Sequence, residues 1–262
     1  MSALAASIGR AAAVTSWQAH EFRRIWWATI TTAFLNPVFF LLSIGVLLGS
    51  LVNRGGAGLG GLSYVEFVGP GLLVATAMQI GANQSTYPVM AGIKWLRTYH
   101  AVIATPVGVG ELVVGALAWT AVRILLAAAV FAGVATVAGA FTSPLAVLTV
   151  PVAVLCGLAF AAPITAFCAR LEWDTAIAAL NRFVIIPMFL FSGTFFPVSQ
   201  LPSWLEPVAW ATPLWHGSTL CRDLASGRAS WLPSLGHVAY LALFVVVGTV
   251  LAIRAERRKL LT

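Results

Sequence analysis

The chain has 262 residues, of which 60% are apolar and 9% charged, with a mean hydropathy of +0.94. A soluble domain of this length cannot hide that much apolar surface, so a purely aqueous fold is excluded and lipid becomes part of the solvent. The net charge of +7 does not point to nucleic acid, because the basic residues are scattered near the ends of apolar stretches instead of forming one patch.

Six apolar stretches, at roughly 33–52, 62–82, 108–138, 144–167, 179–195 and 234–253, predict an all-α polytopic membrane protein with six transmembrane helices. Each is near or above the ~20 apolar residues that a helix needs to cross the hydrocarbon core. With the N-terminal arm in the cytoplasm, one face collects Arg10, Arg23, Arg24, Lys94, Arg97, Arg170, Arg182, Arg254, Arg257, Arg258 and Lys259, and the other collects Arg54, Arg222 and Arg228. This bias of eleven against three places both termini in the cytoplasm, as an even number of spans requires. The short loops between the first four spans predict one membrane domain, 33–262, preceded by a cytoplasmic segment, 1–32.

Residues 1–30 do not read as a cleaved signal, since Arg10 interrupts the Ala-rich start and Trp17, His20, Glu21, Arg23, Arg24, Trp26 and Trp27 follow. Val14, Trp17, Phe22 and Ile25 fall loosely on one helical side, opposite Ser16, His20 and Arg23, which predicts an amphipathic interfacial helix despite Glu21 on the apolar face. The first span carries Gly45-Val46-Leu47-Leu48-Gly49, a spacing that permits close helix approach within the chain or across a dimer face. Gly56, Gly58 and Gly61 match GxGxxG in the external loop that follows. No strand precedes them and no crossover helix follows, so a dinucleotide site is rejected.

On the second span Thr76, Gln79 and Asn83 share a face at i, i+3 and i+7. They line a pathway or bond to neighbouring helices, the latter being the commoner use of such residues. The intracellular segment Lys94-Trp95-Leu96-Arg97-Thr98-Tyr99-His100, running on to Pro106, predicts a short helix along the membrane surface. Snorkelling topology residues and a docking helix for a soluble partner are equally open readings of it. Arg123 sits inside the third stretch, where a charge costs several kcal/mol and needs a partner or water. It attracts an anionic substrate group or pairs structurally with Glu66 or Glu111.

Cys156, Cys168 and Cys221 form no CxxC pair and read as packing residues. Arg170, Glu172, Asp174 and Arg182, with Asn181, predict an inner-face salt-bridge network or a second partner contact, the network being favoured. Between the last two spans, residues 196–233 hold Trp204, Trp210, Trp215 and Trp231 divided by Pro197, Pro202, Pro207, Pro213 and Pro233. Tryptophans prefer the interface and prolines at this spacing permit only short helices, so re-entrant or surface helices in the outer leaflet are expected.

Three segments carry a resemblance: Lys94-Trp95 through Ala104-Thr105-Pro106, Phe191-Ser192-Gly193-Thr194-Phe195-Phe196-Pro197, and Thr212-Pro213-Leu214-Trp215-His216-Gly217. They are similar to permeases of type-2 ATP-binding cassette exporters, in the nodulation-factor exporter (NodJ-like) and daunorubicin-resistance branch. The resemblance covers nearly the whole chain and is specific for the family rather than for a substrate. It implies that two permeases, identical or homologous, pair in the cytoplasmic membrane and rest on two copies of a separate ATPase subunit. By the same likeness residues 94–105 would be the coupling helix, 10–30 the interface helix, and 198–230 the external re-entrant helices, with Phe196, Pro197, Trp204, Trp210, Trp215 and His216 in or beside them.

No GxxxxGK[ST] occurs and the only lysines are Lys94 and Lys259, so ATP and Mg would be bound by the partner, with no cofactor in this chain. No HExxH or GxSxG occurs, and His20, His100, His216 and His237 are far apart in sequence, so neither a metal site nor hydrolase chemistry is expected. The leading reading is a permease exporting an amphipathic substrate, such as a lipid-linked saccharide, a glycolipid or a hydrophobic drug. An intramembrane lipid-modifying enzyme would need convergent acid, base or metal groups. An ion-driven carrier would need buried carboxylates and broken helices, whereas Glu66 and Glu111 lie near span ends.

Overall fold

The computed structural model describes residues 3–23, 39, 43, 59 and 61–261, and among them every regular element is helical. The first apolar stretch, apart from Phe39 and Ser43, lies outside the described residues, as do Gly45, Gly49 and the boundary at 32. In chain order the helices are α1 (Ala3–Phe22), α2 (Tyr64–Gln84), α3 (Tyr87–Met90), α4 (Thr98–Ile103), α5 (Val109–Val137), α6 (Thr149–Cys168), α7 (Thr175–Leu180), α8 (Ile186–Phe191), α9 (Glu206–Trp210), α10 (Pro213–Ser226) and α11 (Trp231–Leu260).

Among the described residues, four helical runs are long and apolar enough to cross a membrane: Tyr64–Trp95, Val109–Val137, Pro144–Cys168 and Trp231–Leu260. They match the second, third, fourth and sixth apolar stretches. The last helix reaches beyond its apolar stretch and carries Arg254, Glu256, Arg257, Arg258 and Lys259 on its final turns. The fifth stretch becomes the shorter run Thr175–Phe191, in which α7 and α8 are joined by a π-helical turn, Asn181–Ile185. Pro187, at the start of α8, has no N–H to close an α-helical bond to the preceding turn, and a wide turn there accommodates its ring.

Helix α6 is the centre of the bundle, with α2, α5, α10 and α11 packed around it. Its buried side chains, among them Ala153, Ala159, Ala161 and Ala162, point in several directions, which explains why its sequence is apolar all round. Glycines set the closest approaches. A Cβ on Gly81 of α2 would lie 2.3 Å from the Gly157 carbonyl oxygen of α6, and one on Gly248 of α11 would lie 2.7 Å from the Pro163 ring. At these crossings the helices meet backbone to backbone, as small residues allow in a bilayer. The three cysteines are buried and free, as packing residues should be.

Helix α1 has the apolar side that its sequence implies, and that side is met by protein. It runs alongside the first half of α5 in the same direction: Arg10 bonds Glu111 with both ends of its guanidinium, at 2.6 and 2.7 Å. The Thr15 hydroxyl donates to the Gly115 carbonyl at 3.0 Å, and Phe22 meets the edge of Trp119. Val14 is buried against Gly115, whereas Ser16, His20 and Arg23 are exposed. On the far side of the bundle, α11 leaves Leu235, Leu243, Val246 and Val250 uncovered, as a lipid-facing surface requires.

Candidate functional site

The connection between α2 and α5 is built in two pieces with a sharp joint. After α3 the chain takes a π-helical turn, Ala91–Trp95, and α4 begins at Thr98. Between them Arg97 adopts φ 52°, a left-handed conformation that costs a non-glycine residue about 1 kcal/mol. The joint sends neighbouring side chains in opposite directions. Trp95 and Leu96 are 56% and 72% exposed, with Trp95 stacked on Tyr87, whereas Tyr99 is 5% exposed and its ring fills the space over Gly92. Lys94, Thr98 and His100 are half-buried and Arg97 is exposed.

The charged cluster after α6 is tied differently from the pattern in sequence. The Glu172 carboxylate accepts from Lys94 at 2.9 Å and also from Lys259 at the end of α11, while the Glu172 carbonyl accepts from Lys94 at 2.7 Å. The two lysines hold this carboxyl down at about 2, Lys259 most strongly, so it stays an anion. Arg170, Asp174 and Arg182 form no ion pair among the described residues, so the expected local network is replaced by a link between three separated segments. A tail residue and a residue of the α2–α5 connection thereby share one counter-ion.

The polar residues of the spans divide between used and unused groups. Thr76 is half-buried and Gln79 and Asn83 are exposed on α2, a helix whose other faces are almost wholly buried. Their side chains make no hydrogen bond among the described residues, so they do not tie helices together within the described part of the chain. Arg123 has neither expected carboxylate: Glu111 is taken by Arg10 and by the Gly108 amide, and Glu66 caps α2 through Ser63. The guanidinium of Arg123 lies 5.2 Å from the centre of the Phe22 ring, a cation–π contact contributed by α1.

Residues 196–230 fold around α10, a helix whose ends are legible in its sequence. Thr212 caps it by accepting from the Trp215 amide at 3.2 Å, Pro213 opens it, and Gly227 closes it at φ 74°. Leu214, Gly217, Leu220, Cys221 and Leu224 recur at helical spacing and are buried against α2 and α6. Gly217 is required there, since a Cβ would meet Val74 at 2.7 Å and the Cys156 sulfur at 2.9 Å. The tryptophans split: Trp204 and Trp210 are exposed, Trp215 is half-buried with Phe196 and Pro197, and His216 stacks on Tyr240 with Nδ1 2.7 Å from Nδ1 of His237. Burial, and then the neighbouring His237, bring the His216 imidazole down to about 4, so it is neutral near pH 7.

Two of the segments that carried the family resemblance meet here. The Thr212 and Ser192 hydroxyl oxygens lie 3.1 Å apart, and the Gly193 carbonyl accepts from Arg222 of α10 at 2.9 Å. Arg222 also donates to the Phe67 carbonyl of α2 at 3.1 Å and lies 3.8 Å over the Phe67 ring. Arg222→Met should therefore lower stability by about 2–4 kcal/mol, since two buried carbonyls lose a charged donor. Arg222→Lys should recover little of it, because an ammonium cannot reach both carbonyls. Thermal unfolding in detergent checks this, and a Met variant melting with the parent would remove the clamp from the account.

Arg222, His237, Tyr240 and Glu256 were not singled out by sequence reasoning. Glu256 is 1% exposed within α11, and its Oε2 has no hydrogen-bond partner among the described residues. The signal lay in its spacing. Gly248, Ala252, Ala255 and Glu256 fall on one helical face, the face turned into the bundle.

The sequence model of the ABC-2 type transporter family matches residues 11–224. Nodulation protein J of Rhizobium meliloti (strain 1021) is 32% identical over 245 residues, covering 92% of this chain and 90% of that protein. Nodulation protein J of Rhizobium leguminosarum bv. trifolii is 32% identical over 230 residues, covering 86% of this chain and 84% of that protein. The inner membrane transport permease YadH of Escherichia coli (strain K12) is 22% identical over 202 residues, 74% of each chain.

Proposed function

The chain belongs to the ABC-2 type transporter family, and from that premise we propose that it is the permease of an ATP-driven exporter in the cytoplasmic membrane. Membership makes it a multi-pass membrane subunit and not itself the catalytic ATPase, and the family implies an ATP-binding cassette partner. In this reading six helices span the membrane with both termini inside, and two permeases, identical or homologous, rest on two ATPase subunits that bind ATP and Mg. The substrate is an amphipathic molecule, a lipid-linked saccharide, glycolipid or hydrophobic drug, moved outward through a pathway to which Thr76, Gln79, Asn83 and Arg123 contribute. Residues 94–100 couple the ATPase to that pathway, and α9 with α10 form the external re-entrant element.

The observation that carries this reading is the outward presentation of Trp95 and Leu96 beside a strained joint, on a chain with no nucleotide-binding motif of its own. Large apolar side chains left uncovered between two spans fit a surface made to be covered. The stripe of Thr76, Gln79 and Asn83, whose side chains make no hydrogen bond among the described residues, supports it, because polar groups facing hydrocarbon are costly and facing a water-filled path are not. An ion-driven carrier would need coupled carboxylates, and among the described residues Glu256 is the one buried acid. Purification of the chain in mild detergent from its own cells should recover a Walker-motif ATPase at equal stoichiometry. Recovery of the chain without any ATPase, across several detergents, would overturn the proposal.

A further inference from the structure

At the joint of the α2–α5 connection lies an open pocket of about 400 Å³ lined by Ile93, Lys94, Arg97, His100 and Lys259. Three of its five lining residues carry a full positive charge. Among the described residues, the carboxylate engaged with them is that of Glu172, which bridges the two lysines and is itself largely exposed. Arg97 forms no ion pair among the described residues, and the Nδ1 of His100 is buried without a hydrogen-bond partner. The pocket thus holds a net excess of positive charge, two lysines fixed in position, and two further groups whose bonding capacity is unused.

We propose that this pocket binds the phosphate of an anionic phospholipid headgroup at the inner membrane surface. A phosphate diester offers several acceptor oxygens in a tetrahedral array, which suits donors arriving from four residues better than a flat carboxylate does, and the volume exceeds what a carboxylate fills. Lys94 and Lys259 stand at the ends of two membrane-length helices, the depth at which headgroups lie. Trp95, and Trp173 next to Glu172, are exposed beside them, as aromatic side chains are at that level. Basic pockets between helices on the cytoplasmic side are where acidic headgroups bind. Because Lys94 and Lys259 lie in different segments, a bound headgroup would add a second tie beside Glu172 between the α2–α5 connection and the tail.

The inference rests on the placement of this end of the bundle at the cytoplasmic surface, and its test uses the permease chain without the ATPase. A failure to bind lipid is thereby distinguishable from a failure to couple. Native mass spectrometry of the full chain, titrated with phosphatidylglycerol and with phosphatidylcholine, should show one saturable site for the first lipid and weaker binding of the second. Arg97→Gln combined with His100→Gln should weaken that site about tenfold or more, and Arg97→Lys should keep most of it. Lys259→Gln, at a helix end, gives a second variant that does not disturb the joint. Unchanged binding in the folded Arg97→Gln/His100→Gln and Lys259→Gln variants overturns the proposal. So does displacement of the lipid by equimolar inorganic phosphate, which would assign the site to a soluble anion. Protection of Arg97 and His100 from labelling only when the ATPase is added would assign the pocket to an acidic side chain of that partner and likewise overturn it.

Discussion

A Gly81→Leu permease should fail to accumulate as a folded, monodisperse membrane protein, whereas Gly133→Leu should behave like the parent. A Cβ at position 81 would sit 2.3 Å from the Gly157 oxygen and 3.0 Å from its carbonyl carbon, atoms of the α6 backbone that cannot rotate away. The approach is mutual, since a Cβ on Gly157 would meet the Ala77 oxygen at 2.7 Å and the end of Ile124 at 2.6 Å. Leucine at 81 must therefore push α2 off the helix at the centre of the bundle and loosen the seat of α10, which packs on both. Overpacking a tight core costs about 1–3 kcal/mol when side chains can shift, and a backbone obstacle places this change at or above the upper end. Gly133, in α5, has no atom within 4 Å of a built Cβ and is the matched control. Size-exclusion profiles of detergent extracts decide the matter. Equal, symmetric peaks for parent and Gly81→Leu would mean that the α2–α6 crossing is looser than described.

Much of this architecture was legible because it depends on composition over long windows. Four membrane-length helices and the shorter Thr175–Phe191 run lie where the apolar stretches lie, and Thr212, Pro213 and Gly227 announced the ends of α10. What stayed hidden depends on which residues meet across the fold. Glu172 was read with its sequence neighbours Arg170 and Asp174, yet its partners are Lys94 and Lys259, 78 and 87 residues away. By chemistry Arg123 suits an anionic substrate group, Glu66 or Glu111, but Glu66 is held by the Ser63 amide, Arg10 of α1 reaches Glu111, and Phe22 lies beside Arg123. Arg222 read as a positive residue of the outer face, and only the fold shows that Gly193 and Phe67 present it with carbonyls. A one-dimensional pattern reports what a residue is able to bond, and the packing of helices decides which offer is taken.

The same distinction governs how the proposed coupling of residues 94–100 to an ATPase is tested. Residues 94–100 look in sequence like one aromatic and basic surface, so Arg97 with Tyr99 is the obvious pair to replace. Tyr99, however, fills the space over Gly92 inside the fold, and its loss would damage the permease itself. Trp95 and Leu96 are the side chains held out of the fold. In vesicles containing the permease with its ATPase, Trp95→Ala combined with Leu96→Ser should reduce substrate-stimulated ATP hydrolysis and transport at least about tenfold, the loss expected when an anchoring aromatic and its neighbour leave an interface. The melting temperature of the permease alone should stay within about 2 °C of the parent, because exposed side chains contribute little to the fold. Arg97 and His100 are untouched in this variant, so lipid binding in the basic pocket should persist while coupling fails. Undiminished stimulation in a correctly assembled complex would show that the mechanical link runs through another segment, with the exposed loop around Trp173 the next to test.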